Sequence, residues 1–251
     1  MAPPPSNIIL AFDLYGTLLS TDSIAQQLAT HFGPEKAPQI ASLWRRYQLE
    51  YTWRVNSMNQ TASFSTLTSH SLTHALASCN LSLSPSSTAS LLKPYDSLST
   101  FPDVSPALEA LASAPDITAV VFSNGTQAMV ANSVHSSPDL SPYSSVFKHI
   151  VTVDKVGKFK PAPEVYFHLA ESVGRGKSRE EMAQMWLVSG NPFDVVGARA
   201  VGMQAAWVDR GGEGWTDALV EGEEGRPTVV VAGLGEVVEV VGRWAEGKRR
   251  G

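Results

Sequence analysis

Apolar and polar positions along this chain follow two different periods. Five short runs, residues 8–12, 117–122, 186–189, 204–208 and 228–232, are dominated by β-branched and other apolar residues and are too short for helices, which predicts strands. Between most of them the apolar residues recur at helical spacing, as in Pro106 to Ala114, Pro163 to Val173 and Phe193 to Val201. Strands alternating with helices predict an α/β fold, a Rossmann-like, doubly wound, mainly parallel sheet with helices on both faces.

One gap breaks the alternation. Residues 13–116 separate the first run from the second, far more chain than one crossover helix needs. An inserted helical cap domain is therefore expected at residues 21–97, leaving residues 1–20 and 98–251 as the α/β core domain. Within the insert, Pro38 to Trp53 reads as an amphipathic helix with Leu43, Tyr47 and Tyr51 on its apolar stripe. Residues 57–100 are rich in Ser and Thr, yet their leucines at 67, 72, 76, 81, 83, 91, 92 and 98 favour further helices over a linker. Ser136 to Ser145, with Pro138 and Pro142, reads as a surface loop. In VVVAGLGEVV, Gly233 and Gly235 follow a strand, but Val238 stands where a dinucleotide motif needs its third glycine, so a plain strand-to-helix turn is expected.

Composition narrows the partners. A formal net charge of −5 in 251 residues argues against a polyanion-binding surface, so no nucleic-acid partner is expected. The one basic run, Lys248-Arg249-Arg250, reads as a solvated tail. A single cysteine, Cys79, excludes an intrachain disulfide and a thiolate metal cluster and suits a reducing, cytoplasmic location. No apolar run approaches the ~20 residues of a membrane helix, and the start MAPPPSN lacks the features of a signal peptide. No membrane partner is expected.

In open parallel sheets, ligands bind beyond the carboxyl ends of the strands. Asp13 ends the first run, Ser123-Asn124-Gly125 the second, and Ser189-Gly190-Asn191, followed by Asp194, the third; Lys160 precedes a Pro-initiated helix. Each has an ordinary alternative, as a turn residue, helix cap or surface charge. Jointly they would place two acids, a lysine and two Ser/Asn pairs at one end of one sheet.

These residues resemble a known family. FDLYGTL, VFSNG, KFKP followed by Tyr166, and VSGNPFD occur in the order found in the haloacid dehalogenase superfamily, and SLWRRYQLEYTW looks like the cap helix of the L-2-haloacid dehalogenases. The resemblance runs from about residue 7 to the C-terminal helix. It implies that Asp13 attacks C2 of a short L-2-haloacid, expelling halide and forming an ester that water cleaves to a D-2-hydroxy acid. Lys160 would keep Asp13 as a carboxylate and orient it, Arg45 would accept the halide, and Ser123 and Asn124 would receive the substrate carboxylate. Thr17, Ser189 and Asn191 would help hold Asp13, Tyr166 belongs to the Lys160 motif, and Asp194 would activate the water. The apolar pocket maps onto Tyr15, Leu49, Phe64 and Phe193. The resemblance also implies a homodimer. Arg46, Phe193 and Gly190 depart from the best-matched pattern, which has glutamine, tryptophan and serine there, so an extra cation and a smaller ring at the pocket are expected.

Tyr15 separates two branches of the superfamily. Phosphatases carry an acid at that position to protonate an alkoxide leaving group, whereas halide leaves without a proton. Phosphatases also hold Mg²⁺ with a second acid after the strand at 186–189, where this chain has Ser189 and Asn191, so no metal and no cofactor are expected. Two rivals remain open at this level: an Mg²⁺-dependent small-metabolite phosphatase, and a catalytically silent binding protein with the same fold.

Overall fold

Runs of Val, Ile, Leu and Ala with both faces buried form the centre of a parallel sheet, because helices packed on either side leave no face for polar residues. The computed structural model describes residues 8–93 and 98–250. In chain order the elements are β1 (Ile8–Phe12), α1 (Ile24–Phe32), α2 (Ala37–Ser57), α3 (Phe64–Ser78), α4 (Pro85–Leu92), α5 (Val104–Ala112), β2 (Ile117–Ser123), α6 (Gln127–Ser136), β3 (Phe147–Thr152), α7 (Pro163–Ser172), α8 (Arg179–Met182), β4 (Met185–Ser189), α9 (Pro192–Ala200), β5 (Gln204–Val208), β6 (Val229–Val231) and α10 (Val237–Arg250). The sheet order is β3-β2-β1-β4-β5-β6 and every pairing is parallel. The order reverses between β1 and β4. Right-handed crossovers then place helices on both faces and open a crevice at that switch point, above the carboxyl ends of β1, β2 and β4.

The five expected strands form, and a sixth, β3, had no counterpart in the sequence pattern. Its residues Phe147 to Thr152 include exposed Lys148 and His149, and its register with β2 slips between Ala119 and Val120. It is an edge strand, where charge is tolerated because one side faces water, and that charge hides the strand period. The segment after α6 forms only a short 3₁₀ turn at Ser141–Val146, and GLGE forms another, Leu234–Glu236, leading into α10. The basic run read as a tail is instead the end of α10, which continues as helix through Arg250. The amphipathic repeat VVEVVGRW, residues 237–244, starts the helix that this run ends. Residues 1–7, which are MAPPPSN, residues 94–97, the end of the expected insert, and residue 251 lie outside the described residues.

Between β1 and β2 the chain builds α1 to α4, with α2 packed against both α1 and α3. The expected stripe on α2 is displaced. Leu43, Tyr47 and Tyr51 are only half-buried, while Ile40, Ala41, Trp44, Gln48, Thr52 and Val55 face inward. Two polar residues disguised that face. Both are satisfied where they lie: Gln48 Nε2 donates to Thr68 Oγ1 at 2.7 Å and Thr52 Oγ1 to the Leu49 carbonyl at 2.6 Å. A buried polar group so bonded avoids the penalty of an unmade bond. Trp44 pins the same face by donating Nε1–H to the Thr68 carbonyl at 2.8 Å.

Candidate active site

Asp13 leaves the sheet directly after Phe12, with its N–H still donating to the Val188 carbonyl of β4 at 3.0 Å. Its carboxylate therefore enters the crevice at the switch point. Gly16 turns the chain back with φ +85°, a left-handed conformation that favours glycine. The turn brings Thr17 Oγ1 within 2.9 Å of Asp13 Oδ2, to which it donates. Asn191 Nδ2 donates to the same oxygen at 2.7 Å, and Lys160 Nζ donates to Oδ1 at 3.0 Å.

Lys160 is a buried ammonium shared by two carboxylates. Its other two protons go to Asp194 Oδ2 at 2.7 Å and to the Phe122 carbonyl at 2.8 Å, so its three donors are used. It also stands 4.1 Å above the Phe122 ring centroid. Asp194 lies in the first turn of α9, yet its side chain does not cap the helix. Its Oδ1 accepts from Tyr166 Oη at 2.7 Å instead. Burial pushes the Asp194 carboxyl up to about 6, with the pull of Lys160 opposing it and the charge of Asp13 adding to it. Burial, with the charge of Asp194 next, also holds the Tyr166 phenol well above its ordinary range, so it stays a donor. Of the neighbouring lysines, Lys155 is exposed and Lys158 Nζ donates to Asn59 Oδ1 at 2.6 Å; neither reaches Asp13.

The turn after β4 is fitted to the turn after β1. Asn191 N–H donates to Ser189 Oγ at 3.0 Å, Gly190 N–H donates to Thr17 Oγ1 at 2.9 Å, and Asn191 Nδ2 also reaches the Tyr15 carbonyl at 2.9 Å. Ser189 thus acts on Asn191 and does not touch Asp13. A Cβ at Gly190 would stand 2.7 Å from the Gly16 carbonyl oxygen. A serine there would push the two turns apart, so glycine at this position permits their closest approach.

The far side of the crevice comes from the inserted helices. Arg45 of α2 donates through Nη2 to the Tyr15 carbonyl at 3.1 Å and to Asn191 Oδ1 at 3.4 Å, and through Nη1 to Gln48 Oε1 at 2.9 Å. The Tyr15 ring stacks on Phe64 of α3 with centroids 5.7 Å apart. Gly125 lets that ring approach, since a Cβ there would meet it at 3.0 Å. Asp13, Tyr15, Arg45, Leu49, Phe64, Asn124, Lys160 and Phe193 enclose a cavity of about 10 Å³. Two expectations are corrected. Arg46 adds no cation to the pocket: it is exposed, and its Nη2 donates to Tyr47 Oη at 3.4 Å, because one step along a helix turns a side chain about 100° away from Arg45. Ser123 does not line the cavity, because the final β2 side chain is fully buried and its Oγ accepts the Gly125 N–H at 3.1 Å.

Several supporting residues carried no motif. Asn56, at the end of α2, makes a reciprocal pair with Phe159: its Oδ1 accepts the Phe159 N–H at 2.9 Å and its Nδ2 donates to the Phe159 carbonyl at 2.7 Å. The next residue, Lys160, gives its backbone N–H to Asn124 Oδ1 at 2.8 Å. The segment that delivers Lys160 is thereby clamped between α2 and the end of β2. Arg210 supports the other flank, donating to the Thr17 carbonyl at 2.8 Å while Nε and Nη2 grip Asp103 at 3.0 to 3.2 Å. The partners are far apart in sequence, so no local spacing could reveal them.

A Rossmann-like sheet with a buried carboxylate, ammonium and second carboxylate at its switch point, closed over by helices inserted after β1, defines a hydrolase class in which an aspartate follows the first strand. The profile of the haloacid dehalogenase-like hydrolases matches residues 9–202, and the chain belongs to that family. It is 33% identical over 228 residues to (S)-2-haloacid dehalogenase 2 of Pseudomonas sp. (strain CBS-3), covering 91% of this chain and 93% of that one. It is 35% identical over 203 residues to haloacetate dehalogenase H-2 of Moraxella sp. (strain B), covering 81% and 86%. Among solved structures, the L-2-haloacid dehalogenase of Xanthobacter autotrophicus with chloropropionic acid covalently bound superposes with a TM-score of 0.79 at 26% identity, covering 93% of this chain and 97% of that one.

Proposed function

We propose that this protein hydrolyses short L-2-haloacids to D-2-hydroxy acids and halide, with Asp13 as the nucleophile. The observation that carries the reading is the unequal solvation of the two Asp13 oxygens. Oδ2 accepts from both Thr17 and Asn191, whereas among the described residues Oδ1 accepts from Lys160 alone. Oδ1 therefore keeps a lone pair for attack on C2 as the carbon–halogen bond breaks and the halide leaves with the bonding electrons, inverting the carbon. Oδ2 then becomes the ester carbonyl oxygen. Water attacks the Asp13 carboxyl carbon, its proton passes to Asp194, and negative charge grows on Oδ2, where the Thr17 and Asn191 donors already point. Collapse breaks the bond between the Asp13 carboxyl carbon and Oδ1, so Oδ1 leaves on C2 as the hydroxyl of the 2-hydroxy acid, taking the proton back from Asp194, and the water oxygen stays in the Asp13 carboxylate.

Arg45, with its guanidinium facing the cavity, is the acceptor for the departing halide, and Asn124 binds the substrate carboxylate through the amide N–H₂ that its bond to Lys160 leaves over. Leu49, Phe64, Tyr15 and Phe193 supply apolar walls. The helices within residues 21–97 act as a cap domain over a core of residues 1–20 and 98–251. No step is assigned to a metal or cofactor, since Asn191 and Thr17 present an amide and a hydroxyl where a hard cation prefers carboxylates. Cytoplasmic location follows from the lone cysteine, and a homodimer from the resemblance; among the described residues no helix is long and apolar enough to cross a membrane. The deciding experiment measures halide release from each enantiomer of 2-chloropropanoate, with and without chelator, for the native protein and Asp13→Asn. Release from the L enantiomer, unaffected by chelator and abolished in Asp13→Asn, is expected. Release from the D enantiomer alone, or dependence on Mg²⁺, overturns the proposal.

A further inference from the structure

The cavity around Asp13, about 10 Å³, has room for roughly one water. Any 2-haloacid must therefore widen it by moving side chains, and one with more than a methyl group on C2 needs space further out, which a neighbouring groove offers. An open groove of about 690 Å³ runs along the outer side of Phe193, between α2, α9 and the loop after β5, with a largely apolar lining that includes Trp53, Pro161, Ala162, Val196 and Leu219. Three walls pass without a break from cavity to groove. On α2 the cavity residue Leu49 is followed one turn on by the groove residue Trp53; Lys160 of the cavity is followed by Pro161 of the groove; Phe193 belongs to both.

Most other cavity side chains are fastened. Asp13, Lys160 and Arg45 are held by the bonds described above, Asn124 by Lys160, and the buried Phe64 by stacking on Tyr15. Phe193 is half-buried and meets the partly exposed Trp53 edge-on, with centroids 5.5 Å apart. Behind it Gly197, one turn along α9, lets the helix lie close against Tyr166 and Pro161, since a Cβ there would stand 2.5 and 2.6 Å from them. Resting on the dehalogenase reading above, we propose that this groove is a subsite for the apolar C2 substituent of longer 2-haloacids, with chains of about four carbons beyond C2, and that Phe193 is the movable partition in front of it. The ligand class follows from the lining, because hydrocarbon chains gain from apolar burial and charged ones do not.

The test compares kcat/KM for L-2-bromohexanoate with that for L-2-chloropropanoate in the native protein, in Ala200→Trp, which fills the groove from an exposed position on α9, and in Leu219→Asp, which adds a second carboxylate beside Asp217 in place of an apolar wall. The hexanoate-to-propanoate ratio is expected to fall about tenfold or more in Ala200→Trp, and in the same direction in Leu219→Asp. A ratio unchanged in both variants, or a native protein that turns over the propanoate and not the hexanoate, overturns the subsite alone. Absence of halide release from both substrates overturns the dehalogenase reading and the subsite with it.

Discussion

Replacing Lys160 by Met removes one cation from between two buried carboxylates while keeping most of the side-chain volume. Three hydrogen bonds disappear, to Asp13, Asp194 and the Phe122 carbonyl, and the carboxylates face each other without a counter-charge. Removing one partner of a buried ion pair costs about 3 to 5 kcal/mol. The loss must depend on pH. Asp194 titrates at about 6 in the folded state against 3.8 for the free side chain, and Lys160 is the main influence pulling it down. A carboxyl raised on folding stabilises the fold fully below its unfolded value, and that contribution is lost as pH rises through the folded value. In the native protein the difference corresponds to about 3 kcal/mol, at roughly 1.4 kcal/mol per pH unit. Without Lys160 the folded value climbs further, so Asp194 keeps losing stability at a pH where the native protein has levelled off. Urea unfolding of both proteins at pH 5 and pH 8 measures this directly. The destabilisation should be larger at pH 8 than at pH 5 by at least about 1 kcal/mol, one pH unit of added shift. Equal destabilisation at both pH values, or less than about 1 kcal/mol at pH 8, refutes the shared-ammonium reading.

Further outcomes are expected. If Asp194 takes the proton from water as proposed, it must be ionised, and with the Asp13 charge lost in the ester its value falls below about 6; single-turnover ester hydrolysis should therefore weaken only on the acid side of that value, and rapid-quench measurements across that range will locate the limb. Arg45→Lys keeps the charge but cannot span Tyr15, Asn191 and Gln48 at once, so kcat for halide release should fall about a hundredfold, the order found when one positioned donor to a developing anion is lost. Asn56→Ala removes both bonds to Phe159; urea unfolding should show a loss of about 2 kcal/mol, at roughly 1 kcal/mol per bond, with a fall in kcat as Lys160 loses its clamp.

The sequence disclosed those parts of the molecule whose chemistry is local. Apolar runs revealed five strands because buried parallel strands need nothing polar, and the cluster residues stood out because each ends a strand or opens a helix. The sixth strand was hidden by Lys148 and His149 at a sheet edge. The inward face of α2 was hidden by Gln48 and Thr52, which read as solvent-facing until their partners Thr68 and Leu49 are known. Asn56 and Arg210 were invisible for a stronger reason: each works through main-chain atoms of a distant segment, and a backbone carbonyl leaves no mark in a residue pattern. Arg46 shows the reverse failure, since its place at a patterned position suggested a pocket cation that the turn of the helix sends to the outside.

The sharing of Lys160 between Asp13 and Asp194 bears on the order of events in a catalytic cycle. The negative charge of Asp13 is one of the influences that hold protons on Asp194, and the ammonium opposes it. Once Asp13 is an ester that charge is gone, while the ammonium remains and belongs to Asp194 alone. The second acid then sheds its proton more readily at the stage when an ionised base is required. In the proposed cycle, completion of the first chemical step thus arms the second, and the order of the two steps is kept through charge.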